Sequence, residues 1–212
     1  MRPVLPWDGP ADALAGGSAA RLVRMITETN DLLRCFGAGD ELYERYHDEE
    51  WGHEVHGDDA LYERMTLEGF QSGLSWLTIL RKREAFREAF AGFDPHAVAG
   101  FDESDVERLM EDAGIVRNRR KVEAAITNAR AVVALQAAGR TLDEVVWSHQ
   151  PAARDARPAG WEDVPGSTDE SKALAKELKS LGFVFVGPTT MYALMQACGL
   201  VDDHIVGCVA AR

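Results

Sequence analysis

Four residues, two near each end of the chain, have the types and spacing to hold a metal ion. His204 and Cys208 are four apart, so on a helix both side chains leave the same face. Cys35 and His47 supply a second thiol and imidazole about a dozen residues apart. Two thiolates and two imidazoles make the closed tetrahedral set of a structural zinc site, with no position left for a reacting water. The alternative is that the cysteines are simply buried thiols and the histidines satisfied core or surface residues. With an ion bound, residues 35 to 47 are tied to the C-terminal segment and most of the chain is closed into one unit.

A second set is aromatic and acidic: Phe36, Tyr43, Tyr46, Trp51, Glu68 and Trp76. The run from Thr66 to Trp76 places a carboxylate near the end of one helix, then a glycine-bounded bend, then a tryptophan early in the next. Flat apolar walls around one anionic acceptor suit a planar, electron-poor or cationic ring, through stacking, cation–π attraction and a hydrogen bond to a ring substituent. The alternative is a core stripe with Glu68 on a solvated face. A third feature is the run from Leu178 to Thr190, which reads as helix, glycine-bounded hairpin and the N-terminus of another helix. Such a turn exposes backbone N–H groups at the positive end of a helix dipole and can bind phosphate without a basic side chain. An ordinary helix–helix connection is its alternative.

The elements that must position these residues read as helices, because apolar residues recur at three- and four-residue steps and alternating strand patterns are scarce. The fold class is all-α. Asp58 and Asp59 are expected to cap a helix containing Leu61, Met65 and Leu67, with a second helix from Leu74 to about Phe90. Asp102 opens another, carrying Val106, Leu109, Met110 and Ala113 before Gly114 stops it, and a long helix is expected from about Asn118 to Ala138. Ser167 and Glu170 form a capping box ahead of Leu174, Leu178 and Leu181, Gly182 ends that helix, and Pro188 sits in a first turn that leads on to Cys198. Residues 151 to 166 read as a surface loop. Residues 1 to 33 form an N-terminal extension, partly disordered or one helix, with residues 1 to 18 read as a poorly ordered arm and Ala19 to Leu33 as the place for an additional helix, and residues 34 to 212 form the domain proper.

With 35 acidic against 23 basic residues in 212, the net charge of −12 argues against a protein that grips nucleic acid through overall positive charge. The excess is uneven. Residues 35 to 70 hold 11 acids and 2 bases and residues 141 to 170 hold 7 and 2, whereas 101 to 140 balance, with a local basic cluster at Arg117, Arg119, Arg120 and Lys121. No apolar run can span a bilayer and no secretory signal is evident, so no membrane partner is expected and the cytoplasm is the expected location. The three cysteines fit a reducing compartment better than a disulfide framework.

Taken together, the residues resemble the bacterial 3-methyladenine DNA glycosylase I family over roughly residues 34 to 208. The resemblance is carried by Arg34-Cys35, Tyr46 to Gly52, Leu67-Glu68-Gly69 through Gly73 to Trp76, and Arg81 to Glu84. It continues in Asp112 to Arg117, Asn128 to Ala131, Gly182 to Gly187 and Met195 to His204. It implies the helix-hairpin-helix glycosylase fold, one structural Zn²⁺ per chain held by Cys35, His47, His204 and Cys208, and hydrolysis of 3-methyladenine from alkylated double-stranded DNA by a monomer.

By position, the resemblance makes Glu68 the base-recognition carboxylate, Tyr46 and Trp76 the pocket walls, and Tyr43 and Trp51 supporting aromatics. Leu74, beyond the Gly73 bend, matches a residue that enters the gap left by the extruded nucleotide, and the hairpin from Gly182 through Gly187 to Thr189 matches the phosphate grip. Two departures stand out. The family commonly has Cys-Gly-Trp where this chain has Cys35-Phe36-Gly37, so Phe36 takes the tryptophan's place in the pocket. Asp202 stands where typical members often carry asparagine, two residues before a histidine, where the wider superfamily places a catalytic aspartate; it is the candidate for orienting the water. Two rival readings are a zinc-stapled DNA-binding module that has lost catalysis and a hydrolytic zinc enzyme. Retention of Glu68, Tyr46 and Trp76 speaks against the first, and a closed set of four ligands against the second.

Overall fold

The computed structural model of the chain describes residues 33–211, and within them it has nine α-helices and no strand, as the all-α reading requires. The expected helix over Ala19 to Leu33 lies, but for Leu33, outside the described residues. The first helix, α1 (Glu41–Glu49), starts where the Asp40 carboxylate accepts the Tyr43 amide, and it buries Tyr43, Tyr46 and His47 on one face at three- and four-residue steps. In α2 (Asp58–Gln71) the cap is Gly57, at φ +90°, so Asp58 and Asp59 lie inside the first turn instead of capping it. There their charges favour the dipole's positive end. The turn Ser72-Gly73-Leu74 follows, and α3 (Trp76–Ala89) begins two residues later than the pattern suggested, because the Ser75 hydroxyl accepts the Thr78 amide.

After a 3₁₀ turn at Ala91–Phe93 come α4 (Pro95–Ala99) and α5 (Glu103–Glu111). Asp102 opens α5 through a reciprocal box with Asp105, but the helix stops short of Ala113. The long α6 (Arg119–Ala137) is capped by Asn118 as expected. A short α7 (Leu142–Trp147), which the pattern did not suggest, is opened by Thr141 and Glu144. For α8 (Asp169–Ser180) the box is Thr168 with Ser171, one residue on from the expected pair, and α9 (Pro188–Ala197) carries Pro188 in its first turn.

α2 is the axis of the fold. It packs against α3, α6, α7 and α9 and is buried on nearly every side, which is why Glu68 is buried with it. Its Phe70 meets Phe86 at a tilt, Phe90 stacks on Phe86 and Phe93, and burial of each such ring is worth about 1.5–3 kcal/mol. The Tyr62 hydroxyl donates to Ala125 O at 2.9 Å, so this buried polar atom is satisfied. Residues 151 to 166 form a loop with one 3₁₀ turn, Trp161–Asp163, and Trp161 Nε1 donates to Cys35 O at 2.7 Å. The segment carrying His204 and Cys208 is non-helical, contrary to the spacing argument. It folds back on the start of the domain, where Val209 N donates to Leu33 O at 2.8 Å and Ile205 N to Cys35 Sγ at 3.3 Å. Among the described residues no helix is long and apolar enough to cross a membrane.

Candidate active site

The six aromatic and acidic residues singled out in the sequence line one cleft. α1 contributes Tyr43 and Tyr46, α2 Glu68, α3 Trp76, and the segments flanking α1 add Phe36 and Trp51. Tyr46 and Trp76 stand with ring centroids 5.2 Å apart, tilted by 45°, while Phe36 lies 5.0 Å from Tyr43 and 5.1 Å from Trp51. Phe36 therefore does supply an aromatic wall. Gln71, Ala193 and Gln196 complete the lining and were not foreseen; Gln71 lies one turn beyond Glu68, and that spacing was the only signal for it.

Glu68 is 6% exposed, and its burial pushes its carboxyl up to about 8 against the opposing pull of Arg64. Arg64 was also missed. It lies one turn before Glu68 on α2, and its guanidinium shares Glu50 with Arg83, at 2.8 Å from Arg64 and 2.6 Å from Arg83. Burial alone would raise Glu50, but the two arginines hold its carboxyl down at about 2. A fixed positive charge thus stands beneath the neutral, protonated Glu68. Two buried donor atoms near it, Arg64 Nη1 and Trp76 Nε1, have no hydrogen-bond partner within the protein.

Behind the wall formed by Phe36 and Trp51, Cys35, His47 and Cys208 bring their ligand atoms within 4.8 Å of one another, all buried. Cys208 Sγ lies 3.4 Å from His47 Nε2, close to the ~3.5 Å that tetrahedral bonds of about 2.3 Å to sulfur and 2.0 Å to nitrogen produce. His204 adjoins the group, its ring perpendicular to that of His47 at 5.4 Å. In both histidines the far nitrogen is held by a carboxylate: Nδ1 of His47 lies 2.8 Å from Asp48, and Nδ1 of His204 lies 2.8 Å from Asp202. In His47 this turns Nε2, which accepts the Cys35 amide at 3.2 Å, toward Cys208, as in the usual outer-shell arrangement around a bound metal; His204 stands beside the three-residue group and is not part of it. Gly52, at φ +79°, is required beside this group, since a Cβ there would come within 2.7 Å of the His204 ring. The donor set fits a metal ion.

Asp202 is committed to that group. One oxygen meets His204 and the other pairs with Arg157 at 2.8 Å, and Asp202 does not line the aromatic cleft. Elsewhere, Leu74 is 38% exposed at the tip of the α2–α3 turn, with Gly73 at φ +85° behind it. The hairpin after α8 turns through Gly182 at φ +92° and Phe185 at φ +58°, then delivers Gly187 and Thr189 to the N-terminal turn of α9, where the first backbone amides lack intrahelical acceptors. Of the basic cluster, Arg119 is held by Glu103 and Glu107, and Lys121 by backbone carbonyls, so only Arg117 and Arg120 present exposed charge.

The site is thus a buried carboxylate among aromatic walls in an all-helical domain, with an apolar side chain exposed at the α2–α3 turn and a hairpin leading into the N-terminus of α9. The sequence matches the profile of the methyladenine glycosylase family over residues 36–211, and the chain belongs to that family. It is 50% identical over 172 residues to DNA-3-methyladenine glycosylase 1 of Escherichia coli strain K12, covering 80% of this chain and 91% of that protein. A crystal structure of 3-methyladenine DNA glycosylase I superposes with a TM-score of 0.82 at 46% identity, covering 85% of this chain and all of the other. A tyrosine-to-phenylalanine variant of a 3-methyladenine DNA glycosylase I, solved in complex with 3-methyladenine, superposes at 0.78 with 36% identity and covers 84% and 96% of the two chains.

Proposed function

We infer that the chain is a monofunctional DNA glycosylase of base excision repair, which hydrolyses the N-glycosidic bond of 3-methyladenine flipped out of alkylated double-stranded DNA. The observation that carries this reading is the convergence of Glu68, Tyr46 and Trp76 on one cleft in a chain of this family. Methylation at N3 makes the base cationic within the nucleotide, so it is a good leaving group before any residue acts. The protein's work is to extrude it, at a few kcal/mol of unstacking, and to favour it over normal adenine. Leu74 fills the vacated gap, and the amides from Gly182 through Gly187 to Thr189 hold phosphate. Tyr46 and Trp76 stack on the ring, with Phe36, Tyr43 and Trp51 behind them.

Discrimination follows from the protonation state of Glu68. A cation brought against the buried carboxyl draws it into its ionised form, and the carboxylate then accepts hydrogen bonds from the amino edge. Neutral adenine offers no such compensation for a buried charge. No lysine lines the cleft, so attack falls to water and not to an amine. Asp202 serves as the partner that orients His204, in place of the water-orienting part expected of it.

Cys35, His47, His204 and Cys208 hold one structural Zn²⁺ per chain, which supplies stability and leaves no site for substrate. The enzyme works as a monomer in the bacterial cytoplasm. Incubation with alkylated duplex DNA and chromatography of the released bases tests the reading. Release of 3-methyladenine without 7-methylguanine is expected. Tight binding to the damaged duplex with no release would favour a recognition module that has lost catalysis.

A further inference from the structure

We propose that Lys121 and Asn128, two side chains of α6, are positioning residues that lock the Leu74 turn and the hairpin after α8 into one DNA-gripping edge. The proposal rests on the reading of those two elements as DNA contacts. Lys121 and Asn128 are seven residues apart, so they leave the same face of α6 about 10 Å apart along its axis. Lys121 Nζ donates to Phe70 O at 2.8 Å and to Ser72 O at 2.6 Å. Phe70 belongs to the last turn of α2, whose terminal carbonyls have no helical donors, and Ser72 immediately precedes Gly73 and Leu74. One ammonium therefore closes the end of α2 and fixes the point from which Leu74 projects.

Asn128 does the same for the hairpin. Its side chain is buried and bonds Val184 in both senses: Nδ2 donates to Val184 O at 3.1 Å, and Val184 N donates to Oδ1 at 2.8 Å. A neighbouring strand would normally supply that pair; here one carboxamide supplies it to an isolated hairpin. The next residue, Phe185, turns at φ +58° and is 40% exposed, so the fixed point lies at the root of the tip. Met65, Gly69 and Phe70 of α2 meet Val184 and Phe185 in the crevice between the two anchors. Lys121 and Asn128 thus spend their polar groups on protein backbone and act on DNA only through the elements they hold.

The test uses the full chain carrying Lys121→Met, Lys121→Gln, Asn128→Ala or Leu74→Ala. The readouts are excision from duplex DNA, the KM for that duplex, thermal melting, and affinity for free 3-methyladenine from quenching of tryptophan fluorescence. Lys121→Met is expected to slow excision at saturating duplex by about ten-fold or more while free-base affinity stays within about two-fold. Lys121→Gln keeps one donor for the two carbonyls, so it should melt close to the wild type and fall between the two in rate. Asn128→Ala is expected to raise KM several-fold with a smaller change at saturation, because a phosphate grip acts before the base is extruded. Excision at the wild-type level by Lys121→Met and Asn128→Ala, beside an impaired Leu74→Ala, overturns the proposal. A loss of free-base affinity in step with excision also overturns it, since the two residues would then hold the pocket and not the DNA edge. If Leu74→Ala itself excises normally, the reading of the turn as a DNA contact fails and the proposal falls with it.

Discussion

In the proposed mechanism Glu68 carries the selectivity of the cleft through its proton. Burial raises its carboxyl from an ordinary 4.5 to about 8, so between those values the folded chain keeps a proton that the unfolded chain gives up. Its folded state is therefore not penalised at acid pH and loses stability as pH rises from 4.5 through about 8. Glu68→Gln removes this titration. The variant should match the wild type near about pH 5 and be more stable near about pH 9 by on the order of 2 kcal/mol, the full shift being discounted for relaxation around the charge. Melting both proteins at the two pH values reads this, and an equal offset at both would show that Glu68 is ionised in the free fold. The same variant should lose excision by about 100-fold or more in single turnover, because an amide cannot meet a cationic ring with charge. Glu68, Tyr46 and Trp76 could be found in the sequence because a carboxylate near glycines and isolated aromatics are unusual residues for a solvated helix face. Arg64, Gln71 and Gln196 could not, since ordinary polar residues in helices acquire meaning only once α1, α2 and α9 are placed around the cleft.

At the scale of elements, the long periodic helices were readable and the short polar ones were not. α6 begins at the expected cap, Asn118, whereas α1 and α7 lack an apolar stripe long enough to register against their charged residues. Two caps differ from the expected ones, each for its own reason: the Asp58 carboxylate is taken up by Asp143 N and Gln136, and at α8 neighbouring hydroxyls compete for the free amides. Gly57 takes the cap position ahead of Asp58, and Thr168 takes it from Ser167, because its hydroxyl reaches Ser171 N at 3.2 Å while Ser171 Oγ accepts the Thr168 amide at 2.9 Å. The register of α8 bears on the proposed phosphate grip, since α8 ends at the hairpin. Thr168→Ala is expected to cost about 1 kcal/mol and to lower Tm by roughly 2–4 °C, with Ser167→Ala close to neutral. The reverse order in a melting comparison would place the cap where the sequence pattern put it. His204 and Cys208 teach a related lesson: four-residue spacing suggested a helix, but the segment is a turn that places Cys208 against His47 and holds His204 beside them through Asp202.

For the whole molecule, the net charge of −12 is compatible with a DNA substrate because part of it is paired internally and the proposed grip does not draw on formal charge. Glu50 is neutralised by Arg64 and Arg83, and Asp48 by Arg34, so part of the acidic N-terminal third is internal pairing. The proposed grip uses backbone amides, which formal charge does not count. Closure of the chain is a separate matter. Residues 33 to 36 are held to the C-terminal segment by two backbone-donated bonds, Cys35 lies beside Cys208 and His47, and Phe36, a wall of the cleft, stands next to Cys35. An ion at Cys35, His47, His204 and Cys208 would join both ends of the domain at one point, and its binding energy would add directly to folding stability. Chelation of the purified protein, or Cys208→Ser, is therefore expected to lower Tm by about 5 °C or more. It should also weaken affinity for free 3-methyladenine, because Phe36 loosens when its anchor is released. Well below the melting range excision should persist, since no step of the chemistry passes through the metal. Atomic absorption on protein prepared without chelator should find about one zinc per chain. A metal-free protein that melts at the same temperature before and after chelation would remove the staple from this account and leave the fold held by its helices alone.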